Sequence, residues 1–191
     1  MRKGLTRIHL TGAAGAGTTT LGRAVAFRAG VMHFDLDDHL WAPAERGGPS
    51  YDQLPPKEER VRMLEARLAS EAGWVLSGTI AQWGDRLISR LRLVVLVVAP
   101  PEVTLGRLGV RESQRFGSET LGRGGSMHQR HLELLRWAAQ YDDAEESVRS
   151  LRFHERWLAR VPCRTGRVDG TRPISVLTQE VLALLHSDGS R

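Results

Sequence analysis

A glycine-rich segment near the amino terminus limits the folds open to this chain more than any other feature. The segment reads GAAGAGTTT over residues 12–20 and directly follows the apolar run RIHLT, residues 7–11. The run is typical of a short buried strand, and residues 19–28 have the apolar spacing of a helix. The sequence therefore predicts a strand, a tight turn and a helix in succession, which is how open α/β folds begin.

The same segment nearly matches a phosphate-binding pattern. In the template G-x-x-x-x-G-K-S/T, Gly12 and Gly17 hold the glycine positions and Thr19 the magnesium-binding hydroxyl, while Thr18 replaces the lysine. Backbone N–H groups and the positive end of the following helix would surround an anion there. A glycine-rich turn without a ligand is the alternative, but the strand before and the helix after it favour phosphate binding. We assign the whole loop to cofactor binding: Gly12, Ala13, Ala14, Gly15, Ala16, Gly17, Thr18, Thr19 and Thr20.

Composition excludes several classes of protein. The 191 residues are 41% apolar and 26% charged, which is typical of one globular domain and not of a disordered chain. The longest apolar run, residues 93–99, is far shorter than the roughly 20 residues of a membrane span. A single cysteine, Cys163, and an amino terminus without a secretory pattern indicate a reducing compartment. We therefore expect one cytoplasmic domain, residues 1–191, that does not contact a membrane.

The net charge of +5 raises the question of nucleic-acid binding. Of the 27 basic residues, 25 are arginine, and they are spread along the chain among acidic residues. No run of five or six basic residues occurs, so we expect no nucleic-acid partner. Arginine does suit bidentate recognition of phosphate groups.

Segments typical of strands alternate with helical segments along the rest of the chain. The predicted strands cover residues 7–11, 31–37, 74–78, 91–100 and 163–170, and the predicted helices cover residues 19–28, 57–72, 101–117, 127–143, 145–160 and 171–185. Such alternation predicts an α/β fold of three layers, with about five parallel strands between helices. Residues 117–126 contain four glycines and are the most mobile-looking segment.

Three aspartates follow the second predicted strand and mark a second candidate site. Asp35, Asp37 and Asp38 would lie at the carboxyl edge of the sheet, beside the glycine-rich loop. In an extended chain, Asp35 and Asp37 point to the same side. Such carboxylates can hold Mg²⁺ or accept a proton from an attacking hydroxyl. We predict Asp35 as a metal and substrate ligand, Asp37 as the base and Asp38 as a substrate contact, although Asp38 as a turn cap with the others solvated is the alternative.

The segment after the third predicted strand, LSGTIAQWGD, would reach the same edge of the sheet. Gly78 allows close approach of a substrate, and Trp83 could face the apolar surface of an acceptor. A tight turn with Trp83 in the core is an equally open reading.

The order of these features resembles the P-loop small-molecule and nucleoside-monophosphate kinases, which include adenylate, cytidylate and shikimate kinases. The features are the glycine-rich loop, the segment HFDLDD, the arginine-rich helix before the glycine-rich residues 117–126, and the terminal DGTRP. Some archaeal cytidylate kinases are similar in having a Gly-Thr-Thr-Thr loop, and shikimate kinase has a similar Asp-x-Asp. The resemblance implies a P-loop NTPase fold, ATP and Mg²⁺ as cofactors, and a small-molecule acceptor.

The resemblance also implies a lid over residues 117–127. Arg107, Arg111 and Arg115 recur every four residues and share one helix face, which is either a solvated surface or a source of lid arginines. On the second reading, Arg111 and Arg115 are catalytic and Arg123 contacts the substrate, because arginines stabilise the transferring phosphoryl group. Gly170 lies in the segment DGTRP, whose place in the chain resembles that of the loop that contacts adenine in these kinases.

These features together predict an ATP-dependent phosphotransferase that acts on a hydroxyl or phosphate of a small molecule. The alternative is a nucleotide-binding regulator, which the missing lysine favours and the aspartate cluster opposes. A nucleic-acid-associated NTPase is a third reading, but no recognition helix or aromatic stacking platform is apparent. The acceptor, the oligomeric state and the choice between ATP and GTP stay open.

Overall fold

The computed structural model describes residues 6–37, 55–145 and 149–187 of the chain. The strands in these ranges are β1 (Arg7–Gly12), β2 (Met32–Asp35), β3 (Trp74–Ser77), β4 (Leu93–Val98) and β5 (Arg164–Asp169). The α-helices are α1 (Thr18–Ala29), α2 (Lys57–Ala69), α3 (Pro101–Phe116), α4 (Ser118–Leu121), α5 (His128–Ala139), α6 (Leu151–Leu158) and α7 (Ile174–His186). A 3₁₀ helix covers Asp85–Arg90.

The five strands form one parallel sheet in the order β2-β3-β1-β4-β5. The register places Asp35 beside Ser77 and Gly12 beside Val97. Because every strand runs in the same direction, the carboxyl ends of β1, β2 and β3 meet at one edge. The chain turns of the glycine-rich loop and the aspartate segment therefore lie at the same edge of the sheet, as ligand sites of open α/β sheets do.

Two apolar clusters cover the two faces of the sheet. Alternate residues of the central strands divide between them: Ile8 and Val75 belong to the first cluster, and Trp74 and Leu76 to the second. Helices α1 and α7 contribute to the first cluster, while α2, the 3₁₀ helix and α6 contribute to the second. This confirms the predicted three-layer arrangement of a five-stranded parallel sheet between helices. Strand β4, LVVLVV, is the most evenly apolar strand because both of its faces are covered.

The structure corrects three of the predicted segments. Strand β2 ends at Asp35, and Leu36 and Asp37 are already helical, so the strand alternation that paired Asp35 with Asp37 is wrong. Within residues 117–126, where the sequence predicted no helix, α4 forms over Ser118–Leu121. The predicted helix over residues 145–160 is shorter, with α6 beginning only after Ser150, whose side chain accepts a hydrogen bond from the Phe153 N–H and caps it.

In the described ranges, no helix is both long enough and apolar enough to cross a membrane.

Candidate active site

The glycine-rich loop has the backbone geometry of an anion cradle. Gly15 and Gly17 have φ angles of 84° and 97°, at which a residue with a side chain would be strained. A Cβ atom on Gly15 would lie 2.1 Å from the carbonyl oxygen of Thr104, so the loop also packs too tightly for any other residue there. Helix α1 begins directly at Thr18, with no side-chain cap and no acidic residue in its first turn. Its first N–H groups are therefore available to an anion.

A cavity of about 250 Å³ opens on one side of the loop. It is lined by Ala16, Gly17, Thr20, Val97, Arg107, Gly170, Arg172, Ile174 and Leu177. Gly170 lies against the loop, since a Cβ atom on it would come within 2.7 Å of the Ala16 oxygen. Arg107 donates from Nη1 to the Gly170 carbonyl oxygen at 3.0 Å. The predicted residue Gly170 thus adjoins the loop, together with Arg107, the first member of the predicted arginine row, and Arg172, to which the sequence assigned no role.

A larger cavity, of about 430 Å³, lies at the opposite edge of the sheet, beside Arg92, Cys163 and His186. It is far from the carboxyl ends of the strands, where ligands of open parallel sheets bind. We therefore place the candidate site at the loop.

The aspartate segment begins at the end of β2. Asp35 is buried, with 8% of its surface exposed, and its Oδ1 accepts a hydrogen bond from the Asp37 N–H at 3.1 Å. This bond replaces the strand alternation as the link between the two residues, and the Asp37 side chain is exposed. Asp38 lies outside the described residues. In the same strand as Asp35, His33 has a structural partner: its Nε2 and the Ser77 Oγ share a hydrogen bond of 3.0 Å.

The donor set near the loop fits Mg²⁺ of a nucleotide complex. In the described part of the chain, no three His, Cys, Asp or Glu side chains group as metal ligands. Mg²⁺ in such sites keeps several waters and takes one or two protein oxygens plus phosphate oxygens, so a full protein cage is not expected. The hydroxyl of Thr19, in the first turn of α1, and the Asp35 carboxylate are oxygen donors of this kind.

An arginine that sequence analysis did not single out lies against the start of the loop. Arg149 donates from Nη2 to the Gly12 carbonyl oxygen at 2.9 Å, and its guanidinium lies 5.7 Å from the ring centre of Trp137. Burial lowers the pKa of Arg149 from its ordinary value, while the nearby Asp37 and Tyr141 oppose this shift. Nothing in the sequence distinguishes it from 24 other arginines, because the chain brings it to the loop across 137 residues.

Beneath the loop lies a buried polar cluster that centres on His154. Its Nε2 is 3.1 Å from Thr11 Oγ1 and 3.4 Å from Thr79 Oγ1, and its Nδ1 is 2.7 Å from the Tyr141 hydroxyl. His9, which is fully buried, packs edge-on against Trp157 instead. The cluster joins the ends of β1 and β3 to the carboxyl-terminal half of the chain.

The two buried histidines are held neutral. Burial, with the charge of Arg149 as a second cause, lowers the pKa of His9 and that of His154 from 6.5 to about 3. The Leu76 backbone opposes the shift at His9 without reversing it. Burial also raises the pKa of Tyr141 above its ordinary value. Arg149 is thus the one cation that acts on both histidines.

The predicted acceptor wall is partly a packing feature. Gly78 has a φ angle of 112° and lies against Leu36, which keeps the end of β3 close to the aspartate segment. Trp83 donates from Nε1 to the Thr79 carbonyl oxygen at 2.8 Å, and it packs against the second apolar cluster. The guanidinium of Arg60 covers its ring at 4.9 Å. These contacts favour the core reading of Trp83.

The arginine row of α3 reaches the loop only at its first member. Arg107 lies beside Gly17 and Gly170, as described above, whereas Arg111 is 53% exposed and is 3.8 Å from Glu112.

The other predicted lid arginines also lie at the surface. Arg115 lies over the ring of its neighbour Phe116 at 5.4 Å, and Arg123 is exposed after α4. Arg107 therefore lies at the glycine-rich loop, whereas Arg111 and Arg115 lie at the surface closer to residues 117–127.

No protein-family model matches the chain. An uncharacterized protein of Bacillus subtilis strain 168, YqaC, is 36% identical over 184 residues, which are 95% of this chain and 98% of YqaC. The chain belongs to the YqaC family. A shikimate kinase of Bacteroides fragilis is 32% identical over 119 residues, or 57% of this chain and 65% of that kinase.

Solved structures of other proteins have the same fold as this chain. Shikimate kinase from Acinetobacter baumannii in complex with shikimate matches with a TM-score of 0.58 and 20% identity, over 99% of this chain and 97% of that one. A gluconokinase from Sinorhizobium meliloti matches with a TM-score of 0.51 and 22% identity, over 96% and 93% of the two chains. The fold is that of the P-loop small-molecule kinases, as the sequence resemblance implied.

Proposed function

We propose that this protein is an ATP-dependent phosphotransferase that transfers the γ-phosphoryl group to a hydroxyl or phosphate of a small-molecule acceptor. The observation that carries the proposal is the joint position of an anion cradle and an aspartate pair at one edge of the sheet. Phosphoryl transfer needs little besides positioning and charge stabilisation, and these two features supply both. The kinase fold of the structural neighbours supports the same reading.

The nucleotide binds along the loop in this proposal. N–H groups of the loop and of the first turn of α1, with the Thr18 and Thr20 hydroxyls, hold the phosphates. The cavity beside Arg107, Gly170 and Arg172 takes the base and ribose, since it continues directly from Gly17 and is bounded by flat guanidinium groups.

Thr19 and Asp35 would hold Mg²⁺ through their side-chain oxygens. The cation would supply neutralisation of the negative charge on the β- and γ-phosphates. Asp35 keeps a fixed orientation for this role because its Oδ1 is anchored on the Asp37 N–H.

Asp37 orients the acceptor hydroxyl and takes up its proton. Its carboxylate is exposed, as a substrate contact requires, and it follows Asp35 in the first helical turn after β2. Gly78 lines the proposed acceptor pocket, and Asp38, which lies outside the described residues, stays a proposed substrate contact, as does Trp83 if its ring is reached from the pocket side. The lid, residues 117–127, closes over the site, excludes water and brings Arg123 toward the phosphates, while Arg111 and Arg115 act from the preceding helix α3.

A hydroxylated small molecule is the acceptor class. Shikimate, which the Acinetobacter kinase binds, is of this class, and so is the acceptor named in gluconokinase.

The test is transfer of label from γ-labelled ATP. The purified chain is incubated with Mg²⁺ and a pool of hydroxylated metabolites and nucleoside monophosphates, and the products are separated. Label in an acceptor that disappears with Asp37→Asn supports the proposal and names the substrate. Tight ATP binding with no labelled acceptor would instead indicate a nucleotide-binding regulator.

A further inference from the structure

The loop lacks the cation that its pattern normally carries. In the phosphate-loop pattern, a lysine reaches the β- and γ-phosphates, and Thr18 has no charge to offer there. Arg107 is a nearby cation, but its Nη1 is bonded to Gly170 on the side of the base cavity. Arg107 therefore serves the side of the base cavity, and a cation fixed at the start of the loop has to come from another element.

Arg149 is such a cation. Its Nη2 is 2.9 Å from the carbonyl oxygen of Gly12, which is the first residue of the loop and the last of β1. The indole ring of Trp137 faces the guanidinium at 5.7 Å and restricts where it can move. The charge is thus fixed where the central strand opens into the anion cradle.

Among the described residues, Arg149 keeps an unused hydrogen-bond donor, although the charge of Asp37 opposes the lowering of its pKa by burial. Its Nε is buried and has no hydrogen-bond partner among the described residues. His9 and His154, which lie within its field, are neutral, and a carbonyl and an indole face are its described contacts. Asp37 lies within electrostatic range, but its carboxylate is exposed at the acceptor side. A half-buried guanidinium with an unused donor is suited to bind a further anion.

We propose that Arg149 supplies, from the segment before α6, the positive charge at the β- and γ-phosphates that Thr18 cannot provide. The inference rests on the proposed function and assigns to Arg149 the role of a phosphate ligand. A planar guanidinium can donate one N–H to Gly12 and others to phosphate oxygens. A lysine ammonium would contact the phosphates as a point charge instead. The loop and the carboxyl-terminal half of the chain then form the phosphate site together.

The experiment measures affinity for two nucleotides without any acceptor. AMP-PNP, a non-hydrolysable ATP analogue, carries the β- and γ-phosphates, and AMP lacks them. We expect Arg149→Met to weaken AMP-PNP binding about 10- to 100-fold, the range for hydrogen bonds to a charged group, and to change AMP binding less than about threefold. Arg152→Met, an exposed arginine in the first turn of the neighbouring helix α6, is the matched control and is expected to change neither.

A second substitution separates a phosphate ligand from a structural residue. Thr18→Lys restores the lysine of the pattern, and it should recover at least tenfold of the AMP-PNP affinity that Arg149→Met loses. Should Arg149→Met fail to fold, Thr18→Lys in the otherwise unaltered chain decides. A gain in AMP-PNP affinity below about threefold agrees with a position that Arg149 already fills, and a gain of tenfold or more overturns the proposal.

Three further outcomes would overturn it. If Arg149→Met and the unaltered chain bind AMP-PNP equally well, Arg149 has no role in binding the nucleotide phosphates. This outcome includes the case in which Arg149 binds only an anionic acceptor. Equal losses for AMP-PNP and AMP would make its role structural. An unaltered chain that binds neither nucleotide would overturn the proposed function itself, which distinguishes that failure from the first two.

Discussion

Charge at the candidate site is concentrated in a few residues whose surroundings differ sharply. Asp35 is buried and hydrogen-bonded to the backbone, whereas Asp37, two residues later, is exposed. Arg149 is half-buried and hydrogen-bonded to Gly12, and its charge interacts with that of Asp37. A fixed carboxylate and an accessible one therefore stand side by side, which suits a metal ligand and a substrate base respectively.

Replacing the accessible carboxylate separates chemistry from binding. Asp37→Asn keeps the shape of the side chain but removes its ability to accept a proton, and general-base catalysis contributes about 10²- to 10⁴-fold. We expect phosphoryl transfer to fall by at least 10²-fold and AMP-PNP affinity to change less than about threefold, measured by product formation and by titration. Asp143→Asn, in an exposed turn after α5, is the control. Full transfer by Asp37→Asn would contradict the assigned role.

Residues that are near in sequence were predictable at this scale, and residues joined by tertiary packing were not. Gly15, Gly17 and Thr19 could be assigned because the loop pattern is local and its backbone angles demand glycine. Arg149 and His154 reach the loop and β1 across 137 and 143 residues, and no periodicity encodes such contacts. The strand alternation assumed for Asp37 failed because the chain turns helical directly after Asp35.

At the scale of elements, the loop is fixed by its packing against α3. The Gly15 backbone touches the carbonyl of Thr104, in the second turn of α3, and Arg107 of the same helix reaches Gly170. Helix α3 therefore holds both the loop and the loop after β5 in place, so its first half adjoins the candidate site and its second half leads to residues 117–127. The shared face of the arginine row was predictable from its spacing. That only the first arginine of the row reaches the loop was not predictable.

Two glycine substitutions test this packing in opposite directions. Gly15→Ala places a Cβ where the Thr104 oxygen lies, at a positive φ angle, so we expect a loss of a few kcal/mol in the free energy of unfolding and loss of AMP-PNP binding. Gly109→Ala, inside α3, meets nothing within 4 Å and is expected to raise that free energy by about 0.5–1 kcal/mol. Urea unfolding with nucleotide titration measures both. An unchanged loop function in Gly15→Ala would contradict the packing argument.

At the scale of the whole molecule, the two faces of the sheet differ in polarity. The face toward α1 and α7 is an apolar cluster, whereas the face toward α6 carries His9 and His154 among its apolar side chains. The five-stranded fold was predictable because apolar runs and helical periodicity are local signals that agree with one another. The buried histidines were not, since their positions follow from how α6 packs on β1.

These histidines predict a pH dependence of stability. The folded pKa of each is about 3, below the ordinary value of 6.5, so between these values the unfolded chain binds more protons than the folded one. Stability is therefore fully present above about pH 6.5 and falls as the pH is lowered, by up to about 1.4 kcal/mol per pH unit for each histidine. Urea unfolding at pH 7.5, 6.0 and 5.0 measures this slope.

His9→Leu isolates the contribution of one histidine. Neither ring nitrogen of His9 has a hydrogen-bond partner among the described residues, so an apolar side chain loses little there. We expect a shallower pH slope in His9→Leu than in the unaltered chain. A slope that His9→Leu does not change would show that His9 titrates alike in the folded and unfolded chain.

Calorimetric titration of the intact chain with AMP-PNP and Mg²⁺ at pH 7.5 tests the central claim most directly, because it asks whether a phosphate loop without its lysine holds a triphosphate. The account predicts saturable binding at one site per chain, weakened when Mg²⁺ is omitted and lost in Gly15→Ala. Absence of binding by the folded, unaltered chain would contradict it.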